Sequence, residues 1–286
     1  MRIALLLLAA FLLPACGGGG GSSSGGGAPA DQTGTPDGNP SDPSTLPQNP
    51  GPQIALLLSN GFSPAVPNYL DDATGPQLQA ALVTAGYTVG VQYFTDSLTS
   101  WNAFVAELQR IRDEWIVGVQ NPTRVVIVAH SYGCVRAHAA IRAVSDCPVA
   151  LLVDLDASSV GWTGFTHGAD NASMGGAPEG AYALGVQITC PTSGVLSAGG
   201  AHDLEDVVFD NVVEGYEVRS GDQLVNPANI TQLVEYDERW NARLDGSTTG
   251  LTCHFSGTPH GEVALAGGTT MAGVQAWILA RLAAAP

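Results

Sequence analysis

The chain has 286 residues, room for one large domain or two small ones. Hydrophobic residues make up 45%, which excludes a disordered protein, while only 13% are charged. The 26 acidic residues against 10 basic ones, all of them Arg, give a net charge of −16. That balance argues against nucleic-acid partners and against electrostatic docking on anionic lipid, both of which need basic patches.

Met1 to Cys16 reads as an address. Arg2 precedes an apolar run from Ile3 to Leu13. The run is about half the ~20 residues a membrane-spanning helix needs, so it is expected to be a secretory h-region. It ends in Leu13-Pro14-Ala15-Cys16, which resembles the bacterial lipobox. That resemblance implies a lipidated Cys16, loss of the preceding peptide and a membrane held through an N-terminal lipid anchor. Gly17 follows the Cys, which by the same resemblance favours the outer membrane of the cell envelope. The alternative is an ordinary signal peptide cut near Ala15. Residues 17–52 contain 11 Gly, 7 Pro and 5 Ser without apolar periodicity. Such a segment cannot bury enough surface to offset its ordering entropy, so a disordered tether is expected there. Residues 53–286 remain as the folded unit.

Within that unit Ile54–Leu58, Val125–Ala129 and Val149–Leu155 are continuous apolar runs. Such runs suit strands buried on both faces of a parallel sheet. Between the first two, Trp101, Phe104, Val105, Leu108, Ile111, Trp115, Ile116 and Val119 recur at steps of three and four, which predicts a helix. Glu214–Arg219 and Gly250–Ser256 are expected to be further strands. Asn226-Pro227 reads as a helix start, and Ile230, Leu233, Val234, Trp240 and Leu244 keep helical spacing after it. Met271, Val274, Trp277, Ile278 and Leu282 predict the last helix. Alternating strands and helices imply an α/β fold with a mainly parallel sheet. Residues from about 157 to 206 are Gly-rich and too long for an ordinary connection, so an insertion over one end of the sheet is expected. Its Trp162, Phe165 and Met174 are either pocket or lid groups or the insertion's own small core.

The run from Arg124 to Gly133 carries the chemistry. A buried strand leads into Ala129-His130-Ser131-Tyr132-Gly133, and a helix is expected to follow. The pattern resembles the nucleophile elbow, G-x-S-x-G, of the α/β-hydrolase family, with Ala129 in place of the first Gly. The resemblance covers roughly 53–286 and implies an α/β-hydrolase fold with Ser131 as nucleophile. A serine hydroxyl needs a base. The family takes it from the loop after the last strand, where Gly-Thr-Pro-His260-Gly-Glu lies; His254 is the alternative. The acid that orients the imidazole follows the penultimate strand in the family. Ser220-Gly-Asp222 resembles that loop, so Asp222 is the expected acid, with Asp154 and Asp156 as alternatives. Ser131, Asp222 and His260 keep the family's chain order. One oxyanion donor is expected at the backbone N–H of Tyr132. The other is expected at Phe62, because Ser59-Asn60-Gly-Phe-Ser-Pro64 resembles the His-Gly-Phe-Ser-Pro loop of bacterial lipases, with Asn60 in place of the His.

No phosphate-binding loop and no close Cys/His cluster occurs, so no cofactor and no metal are expected. Of the Cys residues beyond Cys16, a helix between Cys134 and Cys147 would hold that pair too far apart to bond. Either Cys147 bonds Cys190 or Cys253, or the thiols are reduced and buried. The resemblance implies a serine hydrolase for a small-molecule or lipid ester, lipase- or esterase-like, working through an acyl-enzyme. Thioester, polyester or peptide hydrolysis by the same triad, or a non-catalytic surface-binding module, are the alternatives.

Overall fold

A computed structural model describes residues 45–61, 70–94, 100–158, 186–197, 202–225, 233–235 and 239–284, with single residues 182, 184 and 237. In chain order these form β1 (Ile54–Ser59), α1 (Gly75–Thr84), β2 (Val89–Phe94), α2 (Ser100–Ile111), β3 (Arg124–His130), α3 (Tyr132–Ala143) and β4 (Val149–Leu155). There follow β5 (Val207–Val208), β6 (Val212–Arg219), β7 (Gln223–Val225), β8 (Leu233–Glu235), β9 (Ala242–Arg243), β10 (Leu251–Phe255) and α4 (Thr269–Ala284).

Six strands make one sheet in the order β10-β6-β4-β3-β1-β2, and every neighbouring pair is parallel. The continuous apolar runs have a simple cause. Ala55 and Leu57 of β1, Val125 and Ile127 of β3 and Leu152 of β4 enter one core, with α2 and α3. Ile54, Leu56 and Leu58, Val126 and Val128, and Leu151 and Val153 enter the other, with α1 and α4. Side chains alternate along a strand, so a strand covered on both faces must be apolar at successive positions. Among the described residues no helix is long and apolar enough to cross a membrane.

The chain leaves β1 for β2 on one side and returns through β3 on the other. The order therefore reverses between β1 and β3. In open parallel sheets, ligands bind outside the carboxyl ends of the strands at such a reversal. Here those ends carry Asn60-Gly61 and His130-Ser131.

Several expectations are corrected. The hydrogen-bonded chain begins before residue 53: Gln48 bridges Gln120, the Asn49 N–H donates to Gln120 O, and Thr123 Oγ1 donates to Pro52 O. The helix expected from 226 onward is not what the described residues form. Leu233–Glu235 pairs antiparallel with β7, and Ala242–Arg243 pairs parallel with β5. Spacing misled because the apolar positions do not share a face. Leu233 and Leu244 are 58% and 46% exposed, whereas Trp240 is buried against Cys190 and Cys253. The disulfide is Cys190–Cys253, and Cys134 and Cys147 are buried free thiols. Burial pushes the Cys147 thiol up to about 11. Most of the 157–206 stretch, including Trp162, Phe165 and Met174, lies outside the described residues, as do Cys16 and Phe62.

Candidate active site

β3 and β4 bring the site together through their register. His130 pairs with Leu155, so the next residues, Ser131 and Asp156, leave the sheet side by side. The Ser131 N–H donates to Leu155 O at 3.0 Å, and the Asp156 N–H to Val218 O at 2.6 Å. Both residues have positive φ, 56° at Ser131 and 49° at Asp156. A side-chain-bearing residue held there costs roughly 1–3 kcal/mol. The surroundings impose that geometry at Ser131. It follows the last residue of β3 and caps α3, and the chain must turn sharply between them.

Small neighbours make the turn possible. A Cβ on Gly133 would collide with the backbone carbonyl of Ser59, whose Oγ donates to Gly133 O at 3.0 Å. A Cβ on Gly61 would lie 2.5 Å from Ser131 Cβ and 2.9 Å from its Oγ. The β1 end thus passes directly against the elbow. Ser131 itself keeps 8% of its surface exposed. Tyr132, the first residue of α3, has a backbone N–H outside the helix's own hydrogen-bond ladder, and the positive end of the helix dipole lies at this point.

The fold is α/β, a parallel sheet covered by helices on both faces. The strand-to-helix turn at Ser131 is joined by His260, which follows β10 in a short 3-10 turn, His260–Glu262. Its ring centroid lies 4.9 Å from that of His130, the residue before Ser131. The His260 Nδ1 meets Asp156 Oδ2 at 2.5 Å. An ionised carboxylate only accepts, so Nδ1 carries the proton and the neutral ring presents its lone pair at Nε2. Asp156 is 1% exposed, and its other oxygen accepts the Ser220 N–H at 2.7 Å.

Asp222, expected to face the imidazole, sits elsewhere on the same histidine. Its Oδ2 accepts the backbone N–H of His260 at 2.6 Å, and its own N–H donates to Ser220 Oγ at 3.0 Å. Asp154, the other alternative, is taken by His138. The His138 Nε2 lies 3.0 Å from Asp154 Oδ2 and its Nδ1 2.9 Å from Val207 O. Both ring nitrogens face oxygen acceptors, so both carry protons. Burial pulls this imidazole's pKa down, but the Asp154 charge and hydrogen bond outweigh it and the net shift is upward. His254 lies within β10, on the strand rather than on the turn that carries His260.

The segment expected to carry the second oxyanion donor is anchored at its described ends by Asn60. Its Oδ1 accepts the Leu70 N–H at 3.1 Å, and its Nδ2 donates to Asp71 Oδ1 at 2.6 Å. The Asn60 N–H reaches Phe94 O at 3.1 Å, and the buried Arg136 guanidinium donates to Asn60 O. Arg136 has no place in any motif of the sequence, Asn60 is read there only as the replacement of a His, and Asp156 only as an alternative acid. A register count would have found Asp156, since β3 and β4 are both seven residues long and end together. Among the described residues no cluster of His, Cys, Asp or Glu has the form of a metal site.

No protein-family model matches the sequence, and no curated protein matches it. Solved structures with similar backbones include one from the work on LipS and LipT, two metagenome-derived lipolytic enzymes. It has 14% identity and a TM-score of 0.40, covering 82% of this chain and 94% of that one. The esterase domain of a Rhodothermus marinus protein has 14% identity and a TM-score of 0.39, covering 82% and 88%. Est1E from Butyrivibrio proteoclasticus has 11% identity and a TM-score of 0.39, covering 84% and 92%.

Proposed function

We propose that the protein is a serine hydrolase that cleaves carboxylic esters through an acyl-enzyme, with Ser131 as nucleophile, His260 as base and Asp156 as orienting acid. The observation that carries this reading is the 2.5 Å contact between Asp156 and His260 Nδ1, beside a serine held at positive φ. The contact keeps the lone pair on Nε2 for the Ser131 proton. Ser131 Oγ then adds to the ester carbonyl, and the carbonyl oxygen gains charge. The N–H of Tyr132, at the positive end of α3, stabilises that charge, with a second donor from the Gly61–Phe62 region. His260, now an imidazolium opposite Asp156, returns its proton to the leaving alkoxide. Water deprotonated by His260 attacks the acyl-enzyme and regenerates Ser131. The chemistry calls for no cofactor.

The reading extends to the N-terminus: the chain is exported and held at the bacterial envelope by acyl chains on Cys16. Incorporation of labelled palmitate that disappears in Cys16→Ser tests this. The hydrolase reading is tested by a fluorophosphonate probe on the full chain. Stoichiometric labelling that vanishes in Ser131→Ala is expected; a folded chain that resists labelling sinks the reading in favour of a binding module. Rates on p-nitrophenyl esters of increasing chain length then separate esterase from lipase behaviour.

A further inference from the structure

The main chain of His260 is held from two sides. On one side the His130 Nε2 meets the His260 carbonyl at 3.0 Å. A carbonyl only accepts, so this nitrogen carries the proton. Burial first, and then neighbouring His260, push the His130 ring down to about 4, so it is neutral. On the other side Asp222 Oδ2 accepts the His260 N–H. The Asp222 contact closes a ring of hydrogen bonds. Asp156 takes the His260 ring N–H and the Ser220 N–H; the Ser220 hydroxyl takes the Asp222 N–H; Asp222 takes the His260 N–H.

We infer that Asp222 and His130 are positioning residues that clamp the peptide groups of His260, so that its ring can meet Asp156 and Ser131 at once. The inference rests on the hydrolase reading above and deepens it. His260 follows Pro259 as the first residue of a single 3-10 turn, His260–Glu262, whose own hydrogen bonds run from Glu262 and Val263 back to Pro259 and leave the His260 peptide groups to other partners. A side chain on such a turn is located only as well as its backbone is. The Asp156 contact fixes the ring against one partner. Without the clamp the turn is free to translate, and the ring can keep Asp156 while losing its approach to the serine. Asp222 thereby acts through its acceptor geometry, whereas Asp156 acts through its charge.

The two modes respond differently to an amide. An asparagine oxygen still accepts a backbone N–H, but an asparagine does not neutralise an imidazolium. In the full chain, Asp222→Ala is expected to lower kcat about 30- to 100-fold with KM within about twofold, the scale of a 1 Å misplacement of a reacting group. Asp222→Asn is expected to recover most of that, losing less than about tenfold. His130→Ala and His130→Gln form a second pair with the same order, the glutamine amide N–H still reaching the carbonyl. A readout independent of turnover is the far-downfield proton magnetic resonance of the Asp156–His260 hydrogen bond. It is expected to broaden or vanish in Asp222→Ala and return in Asp222→Asn.

Equal losses of a thousandfold or more in both Asp222 variants would overturn the clamp, because Asp222 would then act by its charge. Wild-type rates and an intact resonance in Asp222→Ala would overturn it too. If the wild-type chain neither hydrolyses esters nor takes the fluorophosphonate, the hydrolase reading fails, and the resonance alone still decides whether Asp222 holds His260.

Discussion

Replacing Asp156 by asparagine separates charge from shape at the base. The wild-type carboxylate accepts from Ser220 N–H at 2.7 Å through one oxygen and from His260 Nδ1 at 2.5 Å through the other. An asparagine can keep its oxygen toward Ser220 only by turning its NH₂ toward His260. Two donors then face each other, unless the imidazole moves its proton to Nε2, the atom that must accept from Ser131. The variant also loses the charge opposite the imidazolium. Two unit charges about 4 Å apart at an effective dielectric of about 20 interact by ~4 kcal/mol. With the wrong tautomer added, kcat should fall by about 10³–10⁴, roughly 4–5.5 kcal/mol of barrier. The fold should survive, because the Ser220 contact is retained. The measurement is the acylation burst on p-nitrophenyl acetate, with circular dichroism as the folding control. A burst rate within tenfold of wild type would refute the assignment of Asp156.

Three further outcomes follow from the same coordinates. Ser131→Ala and Ser131→Gly should both abolish fluorophosphonate labelling, but only the glycine relieves the 56° φ, so it should be more stable than the alanine by ~1–2 kcal/mol in thermal melts; equal melting would remove the strain argument. Stability should fall as pH rises from about 7 to 9, above the range in which the lowered His130 and His202 add stability with rising pH instead. Raised His138 contributes stability that is complete below its unfolded value of 6.5 and is lost as pH climbs through the folded value. Glu217, Asp237 and Asp206, pushed well up by burial and by neighbouring carboxylates, keep protons in the fold that the unfolded chain has released above about 4. That again favours the lower pH, and a melting temperature flat or rising over this range would contradict both. Finally, opening Cys190–Cys253, which closes a 63-residue separation, should cost up to about 4 kcal/mol, read from denaturant midpoints with and without reductant; an unchanged midpoint would show the crosslink to be thermodynamically idle.

The sheet was readable because burial on both faces leaves a plain mark. Leu56-Leu57-Leu58 and Val125-Val126-Ile127-Val128 have no polar position to give to solvent. The elbow was readable because Gly133 must be small where the backbone of β1 passes. Asp156 was legible only as an alternative to Asp222, because motif resemblance ranks loops by sequence, whereas the carboxylate that reaches the imidazole is chosen by strand register. Asp222 and Asp156 both bond His260, and only coordinates tell a main-chain contact from a ring contact. The region from 226 to 244 misled for a different reason. Apolar spacing counts Leu233 and Leu244 as buried, yet they face solvent, and Trp240 packs on a disulfide whose pairing spacing could not reveal.

The order in which the catalytic parts arrive along the polypeptide has its own consequence. β1, β3, α3 and β4 supply the serine, its strained turn and the carboxylate before residue 157, while the imidazole waits for residues 251–284. A chain arrested at residue 250 would hold the proposed nucleophile without its proposed proton acceptor. On the proposed hydrolase reading, emerging protein is therefore inert toward esters until its carboxyl end has docked, and Cys253 staples that same end to Cys190 only where thiols can oxidise.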